Sequence, residues 1–113
     1  MKIFLDTNIL LDVLMDREPH AQSAEELLNE ISSGKAKGFV SGITIPNMYY
    51  VLHDLGKRKN PLPSLATLLG MLEVVPTSKS ILLEAMDPGF KDYEDGIQHA
   101  SALAAHCTHL VTR

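Results

Sequence analysis

Short apolar segments alternate with longer segments of helical periodicity along the chain, and this alternation constrains the fold more than any other feature. The first segment, Lys2–Leu5, passes directly into Asp6, and apolar residues then recur at helical spacing from Ile9 to Leu14. Strands that alternate with helices form a parallel sheet covered on both faces, with right-handed crossovers. The sequence therefore predicts a three-layer α/β/α fold around a central sheet of four parallel strands.

The predicted elements cover most of the chain and leave no linker or repeat. The strands are predicted at Lys2–Leu5, Lys37–Val40, Glu73–Pro76 and Thr108–Thr112. One helix is predicted directly after Asp6, and the others at Ala21–Ser33, Ile43–Leu55, Leu62–Leu72, Ser80–Met86 and Tyr93–His106. Gly34 and Gly56 are expected to end two of these helices, and Lys57–Pro61 is expected to form a basic loop.

The length and composition limit the class of protein. A chain of 113 residues that is 45% hydrophobic can form one compact domain, for which we expect the bounds 1–113. Its apolar stretches fall short of the roughly 20 residues that a membrane span needs, and no basic leader precedes an apolar block. Cys107 is the single cysteine, so an internal disulfide is excluded, and no Cys/His spacing resembles a zinc site. We expect a soluble cytoplasmic protein.

The net charge bears on nucleic-acid binding. A formal charge of −4 argues against a protein that holds nucleic acid mainly through phosphate contacts, because such proteins usually present a basic face. That objection weakens if some of the acids line a pocket that binds divalent cations, since bound cations reverse the local charge. The positions of the carboxylates therefore decide the question.

Two groups of acids are expected at the same edge of the sheet. Asp6 follows the first strand, and Asp92 and Asp95 stand three residues apart where the last long helix begins. Ligands of parallel α/β sheets bind beyond the carboxyl ends of the strands, where both groups should lie. The alternative is structural, because aspartate is a favoured N-cap and acids in a first turn favour the helix dipole.

Gathered carboxylates predict a particular chemistry. They repel one another unless a cation lies between them, and hard oxygen ligands suit Mg²⁺ or Mn²⁺. Such ions activate water and stabilise the charge that develops on a phosphate, so phosphodiester hydrolysis is the natural reaction. A phosphoryl-accepting aspartate is a weaker alternative: phosphatases of that kind need a second aspartate where Asn8 stands. Signalling receivers need an aspartate after the third strand, where Pro76–Ser78 stand.

Three segments together resemble the PIN domain family. MKIFLDTNILLDVL resembles the opening of PIN domains, KGFVSGITIPNMYYVL their second strand and following helix, and DYEDGIQHASALAAHCTHLVTR their third-acid helix and fourth strand. The family includes VapC-type toxins and related bacterial ribonucleases. The resemblance implies RNA cleavage with Mg²⁺ or Mn²⁺ at an acidic cluster, often in a homodimer, and for toxins an antitoxin protein as partner.

The resemblance also implies roles for individual residues. Asp6 would be the metal ligand after the first strand, Asp95 the acid of the late helix, and Asp92 a nearby ligand or water-holding group. Asn8 and Thr112 are possible supporting residues, and Asn47 occupies the place where the family usually has glutamate, which implies weaker metal binding.

The chain ends before the acid that follows the VTR segment in the family. We therefore expect a product truncated before its C-terminal strand, and catalysis only by the full-length protein.

The sequence thus predicts a metal-dependent ribonuclease, of which the toxin of a toxin–antitoxin pair is one form. The alternative is a catalytically lapsed PIN-like module that binds RNA or a protein. Three further predictions concern single residues. Asp12 is expected at the surface or behind the ligands, and Ser41 is expected to cap a turn. The Met48–Tyr50 segment is expected in the core or a dimer surface rather than in a base-stacking platform.

Overall fold

The centre of the molecule is a sheet of four parallel strands. The computed structural model describes residues 1–55 and 59–112, and within these ranges the strands are β1 (Lys2–Leu5), β2 (Lys37–Ser41), β3 (Leu72–Val75) and β4 (His109–Val111). Their order is β3-β2-β1-β4, and all three pairings are parallel. The predicted parallel sheet is therefore confirmed, with strand ends that differ by at most one residue. Predictions that involve Gly56, Lys57, Arg58 and Arg113 lie outside the described residues.

Helices occupy the segments between the strands. In the described part of the chain they are α1 (Thr7–Leu14), α2 (His20–Ser32), α3 (Thr44–Asp54), α4 (Leu62–Met71), α5 (Lys79–Glu84) and α6 (Tyr93–Ala104). Asp6, Ser78 and Asp92 cap α1, α5 and α6 with side-chain oxygens. Gly34 follows α2 with a φ of 85°, the left-handed conformation that commonly ends a helix, as predicted. None of these helices is long and apolar enough to cross a membrane.

Alternate residues of β1 divide the interior into two cores. Ile3 and Leu5 pack into a cluster with the apolar faces of α1, α2, α3 and α4. Phe4 stands between these two residues in the sequence and is fully buried. It packs into a second cluster with α5 and α6. Successive strand residues point to opposite faces of a sheet, so both faces are covered. This arrangement confirms the predicted three-layer α/β/α architecture.

The position of β1 determines where functional side chains can meet. β1 lies between β2 and β4, and its pairing with β4 ends where Leu5 stands opposite Val111. The backbone N–H of Asp6 then donates to the carbonyl of Val111 at 3.1 Å. Because the strands are parallel, Asp6 and Thr112 leave the sheet at the same carboxyl edge, beside each other.

Candidate functional site

A cavity of about 560 Å³ lies at this carboxyl edge of the sheet. It is bounded by the starts of α1 and α6, by α3 and by the end of β4. The six residues proposed from the sequence all line it: Asp6, Asn8, Asn47, Asp92, Asp95 and Thr112. The structure therefore brings together residues from both ends of the chain, and their roles as ligands stay predictions.

Asp6 is held in place by its backbone and by its side chain. The N–H of Asp6 continues the β1–β4 ladder, and Oδ1 accepts the N–H of Asn8 at 3.2 Å as the N-cap of α1. Asp6 therefore does serve as a helix N-cap, the structural alternative stated above. Capping does not compete with metal binding, because a carboxylate has two oxygens and about four lone-pair sites. The cap instead fixes the orientation that a ligand would need.

The acids at the start of α6 are tied to one another. Oδ1 of Asp92 accepts the N–H of Asp95 at 2.8 Å, which makes Asp92 the N-cap. Oδ2 of Asp95 accepts the N–H of Lys91 at 3.3 Å, and Oδ1 of Asp95 lies 3.5 Å from Nε2 of His99. Glu94 lines the same cavity. The first turn of α6 thus presents three carboxylates, two of which are held by backbone N–H groups.

Gln98 and Thr44 were missed in the sequence analysis. Gln98 is buried, and its Oε1 accepts the N–H of Thr7 at 3.2 Å. The hydroxyl of Thr7 lies 3.3 Å from the hydroxyl of Thr44, which is fully buried. The available signal was spacing: Gln98 follows Asp95 by three residues and so lies on the same face of α6.

The side chains of Asp12 and Ser41 contact neighbouring groups of the protein itself. Asp12 is fully buried, with Oδ1 3.1 Å from Nε of Arg17, so the surface position among its two predicted positions was wrong. The physical reason is that α1 packs against both α2 and α3, which leaves little of the helix exposed. The other predicted position, behind the ligands, stays a prediction. Asp12 does not line the cavity. Oγ of Ser41 accepts the N–H of Ile43 at 3.0 Å and caps a turn, as expected.

Comparison with known proteins identifies the family. The family model for the PIN domain matches residues 2–113. This chain belongs to the PIN domain family. It is similar to ribonuclease VapC1 of Aquifex aeolicus (strain VF5), with 27% identity over 111 residues that cover 94% of this chain and 76% of that protein.

The fold of this PIN domain also matches a solved structure. The crystal structure of VapBC2 from Rickettsia felis bound to a DNA fragment from their promoter contains a chain that superposes with a TM-score of 0.73. The sequence identity is 17%, and the match covers 100% of this chain and 89% of that chain. At this identity the likeness establishes the fold alone.

The donor atoms of this PIN domain fit a hard divalent cation. The cavity offers carboxylate, amide and hydroxyl oxygens, which suit Mg²⁺ and Mn²⁺. Within residues 1–55 and 59–112, no three or more His, Cys, Asp or Glu side chains are close enough together to hold a metal ion. That finding does not exclude Mg²⁺, which usually keeps several waters and takes one or two protein carboxylates together with substrate phosphates.

Cys107 lies outside the cavity of this PIN domain. Burial raises the pKa of the Cys107 thiol, and the nearby Lys2 ammonium partly offsets this rise in the pKa. A thiol with a raised pKa stays protonated near neutral pH and is a poor nucleophile or metal ligand. Cys107 lies between α6 and β4 and packs against the second core cluster.

Proposed function

We propose that this PIN domain is a metal-dependent ribonuclease that hydrolyses RNA phosphodiester bonds. The observation that carries the proposal is the convergence of four carboxylates on one cavity: Asp6, Asp92, Glu94 and Asp95. Family membership and the similarity to a protein named as a ribonuclease support RNA as the substrate.

The roles of the residues follow from their chemistry. Asp6 and Asp95 would hold Mg²⁺ or Mn²⁺, with Asp92 as a nearby ligand or water-holding group. Asn8, Asn47 and Thr112 would supply neutral oxygens to the cation or to its water. When bound, the cation supplies positive charge that polarises water and the scissile phosphate. Lys91 and His99 line the same cavity and offer N–H donors to phosphate oxygens.

The proposal extends to partners. A solved structure with the same fold contains VapBC2, and we propose that this chain acts as the toxin of a toxin–antitoxin pair in the cytoplasm. We also propose a homodimer, because an apolar groove opens between α3 and α4. Tyr50 and Leu62, which line it, are 64% and 57% exposed, and large exposed apolar patches commonly mark protein interfaces. Met48, two residues before Tyr50 in the Met48–Tyr50 segment, is fully buried in the core.

A second candidate function is favoured by one specific observation. Asn47 lines the cavity as a neutral amide, and the described residues hold no closely spaced group of three acids. A site of this kind could bind RNA or a protein without cleaving it. The two candidates differ in whether RNA turns over in the presence of a divalent cation.

RNA cleavage with Mn²⁺ tests the proposal. The full-length wild-type protein should cleave RNA, and Asp6→Asn should lower the rate by at least about 100-fold, because losing a charged ligand costs on the order of 3 kcal/mol of transition-state stabilisation. Asparagine caps a helix as well as aspartate, so the fold is kept. The matched control is Asp87→Asn, which removes the same charge from an exposed turn outside the cavity and should cleave like wild type.

Two outcomes would contradict the ribonuclease proposal. RNA that binds wild type but stays uncut at every Mn²⁺ concentration would favour the lapsed module. Cleavage that survives in both Asp6→Asn and Asp95→Asn would mean that the reaction does not use this cavity.

A further inference from the structure

Two hydrogen bonds connect the starts of α1 and α3 with the first half of α6. The backbone N–H of Thr7 donates to Oε1 of Gln98 at 3.2 Å, and the hydroxyls of Thr7 and Thr44 lie 3.3 Å apart. All three residues are buried, with exposed fractions of 6% for Thr7, 6% for Gln98 and 0% for Thr44. We call these three residues the polar brace.

The brace joins the helices that carry the candidate ligands. Thr7 directly follows Asp6 at the start of α1, and Thr44 precedes Asn47 by three residues at the start of α3. Gln98 follows Asp95 by three residues in α6. Each member of the brace therefore lies within about one helical turn of a candidate ligand. A displacement of any of these helices would change the distance between ligand oxygens.

We propose that Thr7, Thr44 and Gln98 are positioning residues that set the spacing of Asp6, Asp95 and Asn47 and thereby the affinity for a divalent cation. This inference rests on the proposed function, because it assigns the three residues to the same site. None of the three needs to contact the cation. Thr44 does not line the cavity, so its effect would pass through Thr7.

The carboxylates of Asp6, which caps α1, and Asp95, in the first turn of α6, line one cavity. They repel one another when no cation lies between them, and this repulsion favours a wider separation of the two helix starts. The N–H groups of a first helical turn have no partner within their helix, so the bond from Thr7 to Gln98 satisfies a donor that would otherwise be buried without one. Separating α1 from α6 would break that bond. The brace thus opposes the repulsion directly.

The cation affinity should respond because ligand geometry has narrow tolerance. Partners that orient metal ligands typically contribute 10-fold to 100-fold in metal affinity or activity. Hydroxyl and amide groups suit this task because buried polar groups are costly to separate once they are paired. A purely apolar contact of the same size would resist sliding less, since it has no preferred direction.

Paired substitutions at Thr44 test the proposal. Thr44→Val keeps the shape of the side chain but removes the hydroxyl, and it should weaken Mn²⁺ binding by roughly 10-fold in a calorimetric titration. Thr44→Ser keeps the hydroxyl and should restore binding to within about twofold of wild type, a recovery that a purely steric role would not give. Ile31→Val is the structural control, because it removes a buried methylene from α2 outside the cavity and should leave the Mn²⁺ affinity unchanged.

A second readout needs no metal. Hydrogen exchange at the Thr7 amide should be faster in Gln98→Leu than in wild type, whereas amides in α2 should exchange at unchanged rates. Equal Mn²⁺ affinities for Thr44→Val and wild type, or an unchanged Thr7 exchange rate in Gln98→Leu, would overturn the positioning role.

The outcomes separate the two proposals. If wild type binds Mn²⁺ and cleaves RNA but the variants behave like wild type, only the positioning role fails. If wild type binds no Mn²⁺, the proposed function fails and the positioning role fails with it.

Discussion

At the scale of single residues, Asp92 combines a capping role with a proposed ligand role that has different chemical requirements. It caps α6 by accepting the N–H of Asp95, and it lines the acidic cavity. A cap needs only an oxygen acceptor, and asparagine serves as well as aspartate. A cation ligand gains most from negative charge, which an amide lacks. Substitutions at this position can therefore separate the two tasks.

Asp92→Ala should lower the free energy of unfolding by about 1 kcal/mol, because the cap is lost. Asp92→Asn should lower it by only a few tenths of a kcal/mol, because the cap is kept and only the favourable charge near the helix N-terminus is removed. Both variants should weaken Mn²⁺ binding to a similar extent. Urea denaturation and Mn²⁺ titration of the two variants measure these effects. Equal loss of stability in the two variants would show that the charge, and not the cap, stabilises α6.

The residues of the site differ in how far the sequence could predict them. Asp6, Asp92 and Asp95 follow from chain position, because a parallel sheet gathers the ends of its strands and the starts of its helices at one edge. The hydrogen bond of Gln98 could not be predicted in the same way, because chain position does not identify Thr7 as its partner. The surface position predicted for Asp12 was wrong because an acid on a short helix suggests exposure to solvent, whereas α1 is covered on two sides.

At the scale of elements, the close approach of α6 to α5 fixes where the acidic turn lies. A Cβ added at Gly96 would stand 2.5 Å from the carbonyl oxygen and 2.9 Å from the Cα of Ala85. These are backbone atoms, which cannot rotate away as a flexible side chain can. Gly96 directly follows Asp95, so any shift that relieves the contact moves a candidate ligand.

Gly96→Ala should therefore destabilise the protein by about 2 kcal/mol, because overpacking outweighs the gain in helix propensity. Gly70→Ala is the matched control in α4, where an added Cβ meets nothing within 4 Å. It should stabilise the protein by about 0.5 to 1 kcal/mol. Thermal denaturation of both variants tests the pair. A stabilising Gly96→Ala would mean that α5 and α6 separate more easily than their packing indicates.

The elements themselves were largely predictable. Apolar periodicity and the Asp6, Gly34 and Asp92 end signals fixed most boundaries to within two residues. Periodicity could not supply the distance between α5 and α6, because that distance depends on side chains of two helices at once. The glycine at position 96 indicates a close contact only after the partner helix is known.

At the scale of the whole molecule, the exposed groove between α3 and α4 is the feature that bears on self-association. Its lining is apolar and includes Tyr49, Tyr50, Leu62 and Leu69. Tyr49 and Tyr50 pack edge to face, with ring centroids 5.3 Å apart. Aromatic residues are enriched at the centres of protein interfaces.

We expect wild type to sediment as a dimer and Tyr50→Glu to weaken self-association by at least about 30-fold, on the order of 2 kcal/mol, because a charge would be buried in an apolar interface. Leu103→Glu is the control. Leu103 lies on α6, is 74% exposed and does not line the groove, so its substitution should leave the dimer intact. Sedimentation equilibrium measures both. A dimer that survives Tyr50→Glu would place the interface elsewhere.

The position of β1 beside β4 has a consequence for the cell that makes this protein. Asp6 is synthesised before β2, β3 and the helix that carries Asp95. A nascent chain therefore holds only part of the proposed site until α6 has been synthesised. For a protein whose proposed substrate is RNA, we expect the growing chain to leave RNA uncut until α6 has been synthesised.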